Sequence, residues 1–168
     1  MALSMYAASV PVFKQILNSL SAILDKAEAH ATAKKIDPAV LLQARLFPDM
    51  FALSRQVQVA ADFAKGAGAR LAGVEVPKYE DNEQSFADLK GRIAKTVAFL
   101  DTLDPADFEG AEERHIVTGS GANQREFKGQ PYLTHYALAH FFFHATTAYD
   151  ILRHNGVELG KKDFIGTF

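Results

Sequence analysis

The sequence contains no cysteine, which excludes a disulfide framework, a thiolate nucleophile, an iron–sulfur cluster and any cysteine-liganded zinc site. It has no basic excess either. Eighteen Lys plus Arg stand against twenty Asp plus Glu, a formal charge of -2, so nothing in the balance would neutralise a row of phosphates, and no nucleic-acid partner is expected. Apolar stretches are broken by His, Thr, Ser or charge well short of the ~18 residues that span a bilayer. Met1 to Phe13 lacks the basic start of a secretion signal. These absences predict a cytoplasmic protein with no membrane partner. The sequence holds no G-x-S-x-G, G-x-x-x-x-G-K or H-E-x-x-H motif and no G-x-G-x-x-G after a strand. Serine-hydrolase, NTPase, zincin and dinucleotide-binding readings therefore find no support.

What is present fits one globular domain over residues 1–168. The chain is 48% apolar and 23% charged, an ordinary balance for a chain that buries a single core. From Ser4 to Lys35, Phe13, Ile16, Leu17, Leu20, Ile23, Leu24 and Ala27 recur at the spacing of one helical face. Pro11 suits only a first turn, so residues before about Val10 are expected to form a separate short piece. Asp37-Pro38 reads as an N-cap followed by Pro at the first helical position, opening a short helix to Leu46. A further helix is expected from Asp49 to about Ala67, stopped by the Lys65-Gly66-Ala67-Gly68 segment. Projection at about 100° per residue places Asp49 and Gln56 on the inward face with Leu53, Ala60 and Phe63.

Residues 70–84 carry Gly73, Pro77, Asp81 and Asn82 without a sustained period and read as a linker. Ser85 and Asp88 form a shortened capping box for a helix with Phe86, Leu89, Ile93, Val97 and Leu100 as its stripe. His115 to Thr118 and Arg125 to Phe127 flank a Gly-rich turn and predict a small hairpin. Pro131 opens a last helix to Asn155, with Gly156 as its stop and a short tail beyond. The simplest architecture is all-α, a four-helix bundle with a hairpin before the last helix.

His140-Phe141-Phe142-Phe143-His144 sets two imidazoles one helical turn apart, the spacing at which a helix can chelate one cation. Leu133, Ala137, Ala148 and Ile151 project to the same inward side, so the pair needs partners. One reading is a divalent-metal site; the other is two neutral core histidines hydrogen-bonded to Asp49, Gln56, Tyr136 or Thr147. His30, His135 and His154 read as surface residues, and His115 as a strand residue that could fold over the bundle mouth. Consecutive Phe141, Phe142 and Phe143 point in different directions. Phe142, with Leu138 and Tyr149, is left outward for either a homodimer interface or the tail from Phe164 to Phe168 to cover.

The His140-x-x-x-His144 pair, the following Ile151-Leu152-Arg153-His154-Asn155-Gly156-Val157 and the Lys161-Lys162-Asp163-Phe164 ending resemble the closing helix and tail of the DinB/YfiT-like superfamily. The resemblance runs over nearly the whole chain. Arg45-Leu46-Phe47-Pro48-Asp49-Met50 with Arg55-Gln56-Val57 is similar to an uncharacterised bacterial branch of it. The resemblance implies an up-down-down-up four-helix bundle, frequently dimeric, with a divalent metal held by a second-helix histidine and the H-x-x-x-H pair, and thiol-dependent transferase or isomerase chemistry in characterised members.

This chain departs from that pattern, having no histidine between His30 and His115. Gln56 or Asp49 would have to stand in; a carboxylate is a respectable zinc ligand and an amide a poor one. His144 is followed by Ala145-Thr146-Thr147 where relatives often carry Arg, Gly and Gln, which puts in doubt the contacts that orient the ligands in those relatives. The expectation is therefore a homodimeric small-ligand-binding or stress-related module with a degenerate metal site at His140 and His144. The alternative is an enzyme using zinc or nickel on that pair, with an exogenous thiol as nucleophile.

Overall fold

The computed structural model describes residues 3–168. Four long helices carry the architecture: α1 (Val10–Lys34), α3 (Leu53–Ala72), α4 (Phe86–Asp101) and α6 (Leu138–His154). Two short helices, α2 (Pro38–Leu42) and α7 (Lys161–Ile165), and a one-turn segment, α5 (Gly129–Pro131), complete the helical set. A two-stranded antiparallel hairpin, β1 (His115–Thr118) and β2 (Arg125–Lys128), precedes α5, with Ile116 opposite Phe127.

Cross-helix pairs fix the helix directions. Lys14 meets Asp101 while Lys90 meets Asp25 and Glu28, so α1 and α4 run antiparallel. Gln56 meets His144 and Arg70 meets Tyr132, so the α3 chain and the last helix are antiparallel too. Asp62 pairs with Arg92, and a Cβ built on Gly68 would fall against Leu100 and Leu103, so α3 and α4 run parallel. The topology is up-down-down-up, and the irregular residues 73–85 return the chain along the bundle between the two parallel helices.

Several local signals act as the sequence predicts. Residues 5–9 before α1 form turns, and Pro11 lies in the first helical turn. Asp37 accepts from the Ala39 N–H at 2.9 Å. Ser85 Oγ accepts from the Asp88 N–H, while Asp88 accepts from the Gln84 N–H, closing a variant of the capping box. The core joins Phe13, Leu17, Leu20, Leu24, Leu53, Leu71, Leu89, Ile93, Phe141 and Ile151 from the four helices.

Four boundaries differ from expectation. Helix α2 stops at Leu42 rather than Leu46. Helix α3 starts at Leu53 rather than Asp49, because residues 43–52 form an irregular turn-rich loop. It also passes straight through Gly66 and Gly68 and stops at Gly73, whose φ of 75° is the left-handed C-cap. Gly68 is no stop. Any Cβ there would lie 2.7 Å from Leu100 Cδ2 and 2.9 Å from Leu103 Cδ1, so glycine lets α3 and α4 approach closely. The last helix opens with the single turn α5 and then widens into a π-helical stretch over Tyr132–Ala137 before α6. The tail folds back as α7 and sets Phe164 edge-on against Tyr149 at 5.9 Å. Of the two ways to cover the outward aromatic face, the tail therefore takes Tyr149, and Phe143 is the exposed member of the Phe141–Phe143 run at 56%.

Candidate functional site

Helix α6 brings His140 and His144 to its junction with α3, one turn apart as the spacing requires. His144 is 8% exposed and His140 half-buried. Their rings are nearly parallel, with centroids 6.3 Å apart and planes 16° apart. Phe63 from α3 stacks on His140 at 4.4 Å and 7°, and on His144 at 6.1 Å. Phe51 stacks on His144 from the loop before α3, and Phe143 meets it edge-on. The projection that put Phe63 and Gln56 on one inward face holds in the fold.

Gln56 is 1% exposed and settles the protonation of His144. Its Nε2 donates to the Phe51 carbonyl at 3.1 Å, which turns its Oε1 toward the imidazole. That oxygen can only accept, so the His144 Nδ1–H donates across 2.7 Å, and Nε2 of the ring is left as an unprotonated acceptor. Burial, then the neighbouring His140 and the Arg55 charge, push the His144 pKa down to about 4. Burial, then the Arg125 charge, also lowers that of His140. Both rings are neutral at pH 7.

Asp49 takes no part in this arrangement. It lies in the exposed loop before α3, so the expectation of an inward carboxylate is corrected: with the helix beginning four residues later, the projection that aimed Asp49 at the core had no helix to act on. Among the described residues no group of three or more His, Cys, Asp or Glu is placed to hold a metal ion. Two imidazoles and an amide whose oxygen already accepts a hydrogen bond fall one donor short of the three protein ligands of a catalytic zinc site. Thr147, another partner considered for the histidines, bonds back to the Phe143 carbonyl instead.

The remaining histidines are peripheral. His115 is exposed on β1 and sits 3.2 Å from Glu126 across the hairpin. His135 and His154 are exposed as expected, whereas His30 is half-buried.

An aromatic row leads from the hairpin to the pair. Phe127 packs on Tyr132 and Tyr136, and Tyr136 stands at 61° to His140 with centroids 4.5 Å apart. Buried Tyr132 receives a hydrogen bond from Arg70 at 3.3 Å, and burial raises its pKa. The π-helical stretch carries both tyrosines, an element found frequently where a side chain must be re-aimed at a functional site. In front of the imidazoles an open concavity of about 380 Å³ is lined by Ala139, His140, Phe143 and His144. A larger one of about 600 Å³, between Met5, Phe108 and Leu133, is lined by no histidine.

A second polar cluster, which the sequence reading missed, lies beside the first. Arg92 of α4 is 4% exposed. It pairs with Asp62 at 2.8 Å, Asp81 at 3.0 Å and Glu83 at 2.9 Å, and donates to the Glu80 carbonyl. Asp81 also binds Arg55, and Lys65, joined to Asp62, lies 3.9 Å over the ring of Tyr79. The connection over residues 73–85 is thereby clamped onto α3 and α4. Arg92 follows Leu89 at i+3 within the apolar stripe, and that misplaced cation was the available signal.

Compared with known proteins, residues 5–165 match the family model described as a domain of unknown function (DUF1993). A crystal structure of a DinB family member protein from Shewanella denitrificans superposes with a TM-score of 0.92 at 43% identity, covering 98% of this chain and 93% of that one. No curated protein matches the chain.

Proposed function

The chain belongs to the DinB family and to DUF1993, and on that premise we propose that it is a small-ligand-binding bundle whose His140 and His144 work without a resident metal ion. The observation that carries this reading is the Phe51–Gln56–His144 hydrogen-bond chain. The residue that α3 presents to His144 is an amide already committed as acceptor where a metal site would need a third donor, and the apolar concavity beside the imidazoles suits recognition of an uncharged or donor-bearing group. Exposed Phe51 and Phe143 flank His144, and such an apolar rim supports a homodimer that closes over the concavity.

A second reading has an observation of its own. A metal-binding histidine usually donates one ring N–H to a carbonyl and offers the other nitrogen, the state in which Gln56 holds His144. A zinc- or nickel-dependent enzyme would then draw its missing donor from outside the described residues.

Elemental mass spectrometry on untagged protein separates the two, as isolated and after equilibration with zinc, nickel and manganese followed by dialysis. The metal-free reading expects a retained ratio far below one per chain, and a fragment screen in which bound compounds perturb His140 and His144. Near-stoichiometric metal that disappears in the His140→Ala/His144→Ala variant would establish the second reading and end the first. Sedimentation equilibrium on Phe143→Ser against the parent chain tests the dimer, with a monomeric variant and a dimeric parent expected.

A further inference from the structure

Four polar groups around the imidazole pair have no protein partner among the described residues: the ring of His140, Nε2 of His144, the hydroxyl of Tyr136 and the guanidinium of Arg125. None is sealed in the core, where the one buried side-chain atom without a partner is Nε of Arg92. All four are therefore open to a ligand. The open concavity between them is apolar, made of Ala139 and Phe143 in front and Phe63 stacked behind His140.

The charge around this surface is one-sided. Arg125 lies two residues from Phe127 on β2 and so shares its face. Phe127 packs on Tyr136, which packs on His140, so the hairpin delivers Arg125 to the His140 end, close enough for its charge to disfavour protonation of that ring. Arg55 acts on His144 from the other end and is held by Asp81. Among the described residues neither imidazole is hydrogen-bonded or ion-paired to a carboxylate, His144 being held by Gln56. Arg55 is already paired with Asp81, whereas Arg125 has no counter-ion among the described residues.

We infer that the ligand of this concavity is a flat aromatic acid: its ring lies along Phe143 and Ala139, its carboxylate meets Arg125, and a ring hydroxyl or N–H donates to a bare imidazole nitrogen. The inference rests on the small-ligand reading above and names the chemical class that such a site takes. A concavity of about 380 Å³ holds one substituted ring. A cationic ligand would meet Arg125 and Arg55 unfavourably, and a purely apolar one would leave the acceptor nitrogens unused.

The test compares 4-hydroxybenzoate with 4-hydroxybenzamide, which share ring and hydroxyl and differ in charge. Binding is read from the imidazole resonances of His140 and His144 in long-range 1H–15N spectra at low salt, on the parent chain and on Arg125→Ala. Arg125 is exposed on the hairpin, and an unchanged melting temperature verifies that the variant is folded. The acid should bind about fivefold more tightly than the amide, the scale of one partly exposed ion pair, and that advantage should vanish in Arg125→Ala and shrink with added salt. Equal binding of acid and amide overturns the acid inference while leaving the small-ligand reading intact. An advantage for the acid that survives Arg125→Ala overturns it as well. Silence from both compounds at millimolar concentration also overturns it, whereas the small-ligand reading falls only with the metal assay and fragment screen.

Discussion

Gln56 and His144, 88 residues apart in sequence, meet at 2.7 Å through Oε1 and Nδ1, and the direction of that bond is dictated by a third group, the Phe51 carbonyl. Replacing Gln56 by Ala leaves the Nδ1–H without an acceptor in a nearly closed site. The expected cost is about 1–3 kcal/mol in urea unfolding. Gln56→Glu keeps the acceptor and adds a negative charge, which favours the imidazolium. An NMR titration should find the His144 pKa moved up from about 4; a value that stays put would mean the side chains do not touch in solution.

The same histidine makes stability depend on acidity. Its folded pKa of about 4 lies below the ordinary histidine value of 6.5, so the unfolded chain binds the proton more readily. Nothing is lost above 6.5. As pH falls from 6.5 through 4 the folded state should weaken by about 3 kcal/mol in all, and well below 4 this group contributes no further loss. Unfolding midpoints at pH 7, 5.5 and 4 on the parent chain and on His144→Phe measure it, the variant being flatter over that window.

Arg92 is bound to three carboxylates from within the bundle. Its replacement by Met removes the cation and leaves Asp62, Asp81 and Glu83 repelling one another. A loss of about 3–5 kcal/mol is expected. Hydrogen exchange should accelerate first over residues 73–85, the segment that the arginine clamps, and uniform acceleration would count against the clamp.

Two helix-interior glycines should answer oppositely to alanine. Gly91 on α4 has nothing within 4 Å of a built Cβ, so Gly91→Ala gains up to about 1 kcal/mol of helix propensity. At Gly68 the added methyl meets Leu100 and Leu103, and overpacking of about 1–3 kcal/mol outweighs that gain. Paired thermal melts decide it, with the two variants shifting to opposite sides of the parent.

Much of this arrangement could be read from short-range pattern. The α1 face, the caps at Asp37 and Ser85, the hairpin and the inward set of Gln56, Phe63, His140 and His144 depend on residues within a turn or two of one another. The expectations that fell short depended on distant partners. Gly66 and Gly68 read as a stop because a helix interior rarely uses two glycines, and the approach of α4 explains Gly68, whereas a Cβ on Gly66 would meet only Arg70 of the same helix. Asp49 was aimed at the core by a periodicity extended four residues too far. The Arg92 clamp needed the linker's acids to fold back over α4, which no window of sequence contains. The π-helical stretch left no local mark at all.

That stretch over Tyr132–Ala137 amounts to one surplus residue in an otherwise regular helix. Removing any single codon within it would let the backbone relax into an unbroken α-helix at little local cost. Five α-helical residues at about 100° each sweep nearly the same angle as the six residues of the wider π-turn. The hairpin upstream and His140 and His144 downstream would therefore keep their phase, and only the side chains inside the stretch would be re-aimed. The surplus residue is a local device that sets where those side chains point, so a frame-preserving deletion of one amino acid would alter the tyrosine row without moving the histidines or the hairpin.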